Sequence, residues 1–224
     1  MGKGKLERFE ENKTFPNLFQ PLYEDVATNG FPLNGAWNKD FFKNTNPIVL
    51  ELGCGKGEYT LCLGEKYPDK NFIGVDIKGA RIWRGLKRCQ EKNLKNVAFL
   101  RTRINNINLF FSPNEVSEIW ITFPDPQPKK ENKRLTCQRF LNLYKKLLVP
   151  NGIIHLKTDD TMLYEYTLNE VIPNGKHTLL LHSDDLYKEG SPHLEVKEIQ
   201  TYYEQMWLEM GKKIKYIRFQ LNAE

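Results

Sequence analysis

The chain has 224 residues, with 33 Lys and Arg against 28 Asp and Glu, for a net charge of +5. That length suits one α/β domain with elaborations and a full core, and the charge is only a mild bias toward anionic partners. No apolar run approaches membrane-spanning length, and the early lysines precede no apolar stretch, so a cytoplasmic protein with no membrane partner and no signal peptide is expected. Cys54, Cys62, Cys89 and Cys137 form no C-x-x-C pair, and His155, His177, His182 and His193 are scattered. Reduced thiols are therefore expected, with neither a disulfide framework nor a metal site. His155, inside an apolar strand, reads as a satisfied core or edge histidine.

Residues 1–46 show no clear period. Lys3, Lys5, Arg8 and Lys13 alternate with acids, while Phe15, Phe19, Tyr23, Phe31, Trp37, Phe41 and Phe42 are many aromatics for a tail. An extension packing on the domain is expected, with its basic end available to RNA phosphates. The domain itself spans 47–224. Ile48–Leu52 reads as a buried strand and leads into Gly53, Gly55 and Gly57, after which a helical pattern runs from Glu58 to Tyr67. Strand, glycine turn and helix bring backbone N–H groups close to a nucleotide-like ligand. The spacing is G-x-G-x-G, not that of dinucleotide sites. A plain tight turn is the competing reading.

A second strand, Asn71–Asp76, ends in an acid about twenty residues after the glycines, where a ribose-binding carboxylate belongs. A helix cap or loop acid is the alternative for Asp76. A helix over about Ala80–Asn93 carries Arg81, Arg84, Lys87 and Arg88 mostly on one side, which reads as a solvated face before an RNA-facing stripe. Strands follow at Val97–Arg101 and Val116–Phe123. The latter enters Pro124-Asp125-Pro126-Gln127-Pro128-Lys129-Lys130, where three prolines stiffen the backbone around one acid. Such a loop at a strand's carboxyl end suits substrate positioning, and a proline-rich surface turn is the bland alternative. Lys129, Lys130, Lys133, Arg134 and Arg139 form the densest basic cluster, across the start of a helix ending near Leu148.

Pro150-Asn151-Gly152 reads as a turn and Ile153–Lys157 as a strand. Thr158-Asp159-Asp160 then caps a helix to about Val171. His177–His182 is a further strand, 183–195 a polar loop, and Thr201-x-x-Glu204 a capping box before a helix that Gly211 ends. Lys213–Gln220 is the last strand, read as antiparallel.

Glu51-Leu52-Gly53-Cys54-Gly55-Lys56-Gly57 and Gly74-Val75-Asp76 resemble the first two motifs of class I S-adenosylmethionine-dependent methyltransferases. Phe123–Lys129 and Thr201-Tyr202-Tyr203-Glu204 resemble motifs of the bacterial tRNA (guanine-N7)-methyltransferases, and the similarity runs from about Pro47 onward. The resemblance implies a Rossmann-like fold: a seven-stranded, mostly parallel sheet with an antiparallel last strand and helices on both faces. It implies methylation of guanine 46 in the tRNA variable loop, with S-adenosylmethionine as cofactor, S-adenosylhomocysteine as product, and a monomer or homodimer. Glu51, Gly53, Gly55, Gly57, Asp76 and Arg103 would bind cofactor. Asp125 would bridge cofactor and base as the catalytic residue. Lys129, Asp159, Thr201, Tyr202, Tyr203 and Glu204 would hold the nucleotide.

Two positions depart from the family pattern. Arg103 stands where an acid or amide usually meets the adenine, and arginine cannot accept a hydrogen bond. Backbone, a nearby asparagine, or stacking and shape must then serve. Gln127 stands where tryptophan is frequent, which removes an aromatic platform. Other readings are a methyltransferase of another RNA or a protein, a nucleotide-dependent oxidoreductase, and a non-enzymatic RNA-binding module.

Overall fold

A computed structural model describes residues 3–190 and 195–222. His193 and the rest of 191–194, within the expected polar loop, lie outside the described residues, as do the side chains of Lys3 and Glu195.

The sheet grows outward from β2 (Ile48–Leu52), whose five residues are all buried. Such a run, buried on both faces, is a central strand. β3 (Asn71–Asp76) and β5 (Val116–Thr122) flank it in parallel. β4 (Val97–Arg101) lies beyond β3, and β6 (Leu148–Thr158) beyond β5. β8 (Lys215–Gln220) pairs antiparallel with both β6 and β7 (Thr178–Ser183). The strand order is β1-β4-β3-β2-β5-β6-β8-β7. It reverses direction at β2, so a crevice opens at the carboxyl ends of β2 and β5.

The described residues thus form eight strands, not seven. The addition is β1 (Leu18–Phe19), two residues from the N-terminal extension that run parallel to β4. Without it β4 would present an open edge. Two residues carry no readable period, which is why the sequence concealed it.

Strand parity divides the core. Ile48, Leu50 and Leu52 face one apolar cluster, and Val49 faces the other. Glu51 therefore shares the Val49 face, where α3 (Glu58–Lys66) and α4 (Gly79–Glu91) pack. The N-terminal extension is tied to both sides. α1 (Lys3–Asn12) docks on α4: Glu11 accepts from Trp83 Nε1 at 2.7 Å and from Lys87 at 2.9 Å, and Asn12 Nδ2 donates to Gly79 O at 3.0 Å. After α2 (Tyr23–Asn29), Trp37 is wholly buried against Phe111.

Four local expectations change. α5 (Gln138–Tyr144) takes up only Arg139 of the basic cluster and ends at Tyr144, so Leu148 belongs to β6. The Pro150–Gly152 turn survives as an irregularity inside β6, with Asn151 at φ 59°. Arg134 leaves the surface cluster: it is buried, with its guanidinium 4.3 Å from the Tyr166 ring centre. Asp160, not Asp159, caps α6 (Thr161–Tyr166), accepting from Leu163 N at 2.7 Å. That helix continues through a π turn at Thr167–Val171 into α7 (Ile172–Asn174). α8 (Tyr202–Glu209) begins at the expected capping box. His155 is a core histidine, stacked 3.8 Å from Trp120, with Nδ1 2.7 Å from Tyr216 Oη and Nε2 3.3 Å from Glu118.

Candidate active site

The end of β2 turns sharply because three residues adopt positive φ: Gly53 at 80°, Gly55 at 56° and Gly57 at 69°. L side chains rarely tolerate that region. Val75 O holds the bend by accepting from Gly53 N at 2.8 Å and Cys54 N at 3.1 Å. Asp76 braces it from β3. One carboxylate oxygen accepts from Gly55 N at 2.9 Å and the other from Lys78 N at 2.7 Å. Asp76 is thus no helix cap, and each oxygen keeps lone-pair capacity for a further donor. Above Gly53 the space is empty: a Cβ there would meet nothing within 4 Å.

Glu51 points into the same cleft from the buried face. Its Oε2 accepts from Thr60 N at 2.8 Å and from Thr60 Oγ1, and its Oε1 from Thr122 Oγ1 at 2.9 Å. Burial pushes its pKa up from 4.5 to about 7, against the pull of those hydrogen bonds.

The cleft, about 110 Å³, is bounded by the glycine bend, Thr122 and Phe123 of β5 and its exit, Arg81 of α4, and Thr201 and Tyr203. Beside Ile77, the residue after Asp76, a second hollow of about 550 Å³ opens between Arg103, Asn105, Asn106 and the N-terminal segment 20–24. Arg103 stands at the start of a 3₁₀ turn, Ile104–Leu109, so both asparagines reach the same hollow. The segment 20–24 and Ile77 had no sequence signal, since only the β1–β4 pairing brings the extension there. Arg81 was readable as one of four cations on α4. The fold separates them: Lys87 pairs with Glu11, Arg88 lies 3.8 Å from Glu58, and Arg81 lines the cleft.

The proline loop leaves β5 at the same sheet edge. Phe123 takes φ 46° and donates to Lys157 O at 2.8 Å. Asp125 is exposed, and its Oδ1 accepts from Gln127 N at 3.1 Å, with Gln127 at φ 49°. Lys129 and Lys130 are exposed beyond it.

The C-terminal motif meets this edge unevenly. Thr201 and Tyr203 line the cleft, and Tyr202 and Tyr203 are exposed, with Lys56 Nζ 4.6 Å from the Tyr202 ring centre. Glu204, unlike Thr201 and Tyr203, does not line the cleft. It is 0 % exposed, and its Oε1 lies 2.5 Å from Lys157 Nζ and 2.7 Å from Tyr187 Oη. Capping-box geometry turns this side chain back toward its own helix start. Asp159 sits at the carboxyl end of β6, but its Oδ2 is paired with Lys212 at 2.8 Å.

A family model described as "Putative methyltransferase" matches residues 45–217. A tRNA (guanine-N(7)-)-methyltransferase of Christiangramia forsetii is 55% identical, covering 98% of each chain. One of Bacteroides fragilis is 52% identical over 100% of this chain and 88% of its own. The chain belongs to the tRNA (guanine-N(7)-)-methyltransferase family. Among solved structures, an antibiotic-related methyltransferase aligns with a TM-score of 0.62 at 17% identity, covering 88% of this chain and 98% of its own. The 16S rRNA methyltransferase KamB reaches the same TM-score at 12% identity, over 83% and 92%. At that identity the two structures speak for the fold alone, which is that of the class I S-adenosylmethionine-dependent methyltransferases. In this methyltransferase, Lys157 is the site-edge residue that motif reading passed over. A lysine closing the apolar run Ile153–Lys157 was its only signal.

Proposed function

We propose that this chain transfers a methyl group from S-adenosylmethionine to N7 of a guanine in tRNA, at guanine 46 of the variable loop, in the cytoplasm. The observation that carries this reading is that Thr122 and Phe123, which lead into the loop carrying the exposed Asp125, line the cleft with the glycine bend of β2. The residues present fit the cofactor. The bend leaves open space where a Cβ at Gly53 would stand, and the Asp76 carboxylate retains acceptor capacity beside it. When bound, S-adenosylmethionine supplies an electrophilic methyl group on a sulfonium and leaves as S-adenosylhomocysteine.

Gly53, Gly55 and Gly57 present backbone to the methionine end, and the N-terminus of α3 adds partial positive charge for its carboxylate. Asp76 accepts from the ribose hydroxyls. Arg103, Asn105 and Asn106 wall the hollow for the adenine, where the asparagine amides supply the acceptor that Arg103 lacks. Glu51 acts through Thr60 and Thr122, holding α3 and the end of β5 beside the bend.

Guanine N7 has a free lone pair, so no residue has to remove a proton before attack. The ring gains positive charge as the methyl arrives. The Asp125 carboxylate favours that charge and orients the base through an N–H edge. Lys129 and Lys130 meet phosphate oxygens, while Thr201, Tyr202 and Tyr203 border the nucleotide. Asp159 contributes by holding the Lys212 ammonium at 2.8 Å.

The test is incubation with methyl-labelled S-adenosylmethionine and an unmodified tRNA transcript, followed by borohydride and aniline cleavage. One strand break at guanine 46, absent from a transcript lacking that guanine, is expected. Label incorporated without N7-dependent cleavage, or none at all, overturns the proposal.

A further inference from the structure

Lys157 has no exposed surface, and its two halves serve opposite walls of the cleft. Its backbone carbonyl accepts from Phe123 N at 2.8 Å, and Phe123 begins the loop that carries Asp125. Its ammonium donates to Tyr59 Oη at 2.7 Å, Val196 O at 2.8 Å and Ile199 O at 3.1 Å, and pairs with Glu204 Oε1 at 2.5 Å. Four oxygens thus surround a group with three N–H bonds. The two carbonyls belong to the segment leading into α8, and Glu204 closes the capping box on Thr201. Thr201 and Tyr203, which line the cleft, hang on this anchor.

We infer that Lys157 is a positioning residue that fixes the Thr201–Glu204 wall relative to the Asp125 loop, so that both meet the same nucleotide. The inference rests on the proposed tRNA activity. Burying the pair is costly on both sides: desolvation pushes Lys157 down to about 8 and raises Glu204. Buried ion pairs seldom repay that cost in net stability, and apolar or neutral replacements are often as stable. Fold stability alone therefore gives little reason for a lysine here. Geometry gives one, because a short, multiply bonded ammonium holds three chain segments in one register.

The double variant Lys157→Met, Glu204→Gln removes both charges together and leaves neither unpaired. It is expected to stay folded and to bind S-adenosylmethionine in calorimetry within about twofold of wild type, since the glycine bend and Asp76 are untouched. Its KM for tRNA should rise about tenfold or more. Hydrogen exchange over 201–209 should accelerate, while the peptide spanning 53–60 keeps its protection. A folded double variant with wild-type KM for tRNA, or with unchanged protection over 201–209, overturns the inference. If the double variant does not fold, Tyr187→Phe removes only the hydroxyl that holds Glu204 Oε1 at 2.7 Å. A threefold or so rise in tRNA KM with unchanged cofactor affinity is then expected, and unchanged KM sinks the idea. If wild-type protein methylates no tRNA, the proposed function fails. The exchange measurement still decides whether Lys157 orders this wall.

Discussion

The Phe99 ring lies so close to Gly57 that a Cβ on the glycine would stand 2.5 Å from it. Gly74 and Gly85 meet the same ring, at 2.9 and 2.8 Å. Three glycines thus make room for one phenylalanine beneath the site. Gly57→Ala combines overpacking with strain at φ 69°, and should cost about 2–4 kcal/mol in urea unfolding. Gly53→Ala meets no neighbour, so only its φ of 80° is strained, at about 1–2 kcal/mol. Its methyl would occupy the open space above the bend, and calorimetry should show S-adenosylmethionine binding weakened by about tenfold or more. A Gly53→Ala protein that binds cofactor like wild type would remove the bend from the site.

Glu51 should leave a signature in the pH dependence of stability. Its folded pKa, about 7, stands above its ordinary 4.5, so between those values the folded state holds a proton that the unfolded chain has released. Its contribution is complete below the lower value and is lost as pH rises through about 7. Gln at this position can accept from Thr60 and donate to Thr122. The stability of Glu51→Gln relative to wild type should rise between pH 5 and pH 8 by up to roughly 3 kcal/mol. A flat difference across that window would mean that Glu51 stays ionised in the fold.

Asp125 is exposed and accepts only a local backbone hydrogen bond among the described contacts. Asp125→Ala should leave stability within about 0.5 kcal/mol. Methylation of tRNA should fall by about 10²–10³ in kcat, the size found when one electrostatic stabiliser is lost from a transition state. Single-turnover kinetics would separate this from tRNA binding. Unchanged turnover would remove Asp125 from the chemistry and leave the family intact.

Trp37 tests how far the N-terminal extension belongs to the fold. It is fully buried, donates from Nε1 to Phe110 O at 2.9 Å, and stacks on Phe111 at 5.6 Å. Trp37→Ala should destabilise by about 3–5 kcal/mol, measured by thermal or urea unfolding. A loss near zero would mean that the extension folds apart from the sheet.

Local pattern carried a large part of this protein. The run Ile48–Leu52 had to be a central strand because four of its five residues are apolar, on both faces. The glycines after it had to turn because glycine adopts positive φ without the strain other residues carry there. Thr201 and Glu204, three apart, had to cap a helix, since each satisfies a backbone N–H the other leaves open. What required the tertiary structure was every pairing between distant segments whose partners carry no local mark. Leu18 and Phe19 became a strand only because β4 had an open edge to fill. Asp160 rather than its neighbour became the cap, because β6 ends at Thr158 and leaves Asp159 facing Lys212. In sequence Lys157 is only the end of a strand, and Glu204 is a capping-box acid expected to hold the nucleotide. They are buried because each neutralises the other, and a sequence pattern cannot display a partner 47 positions away.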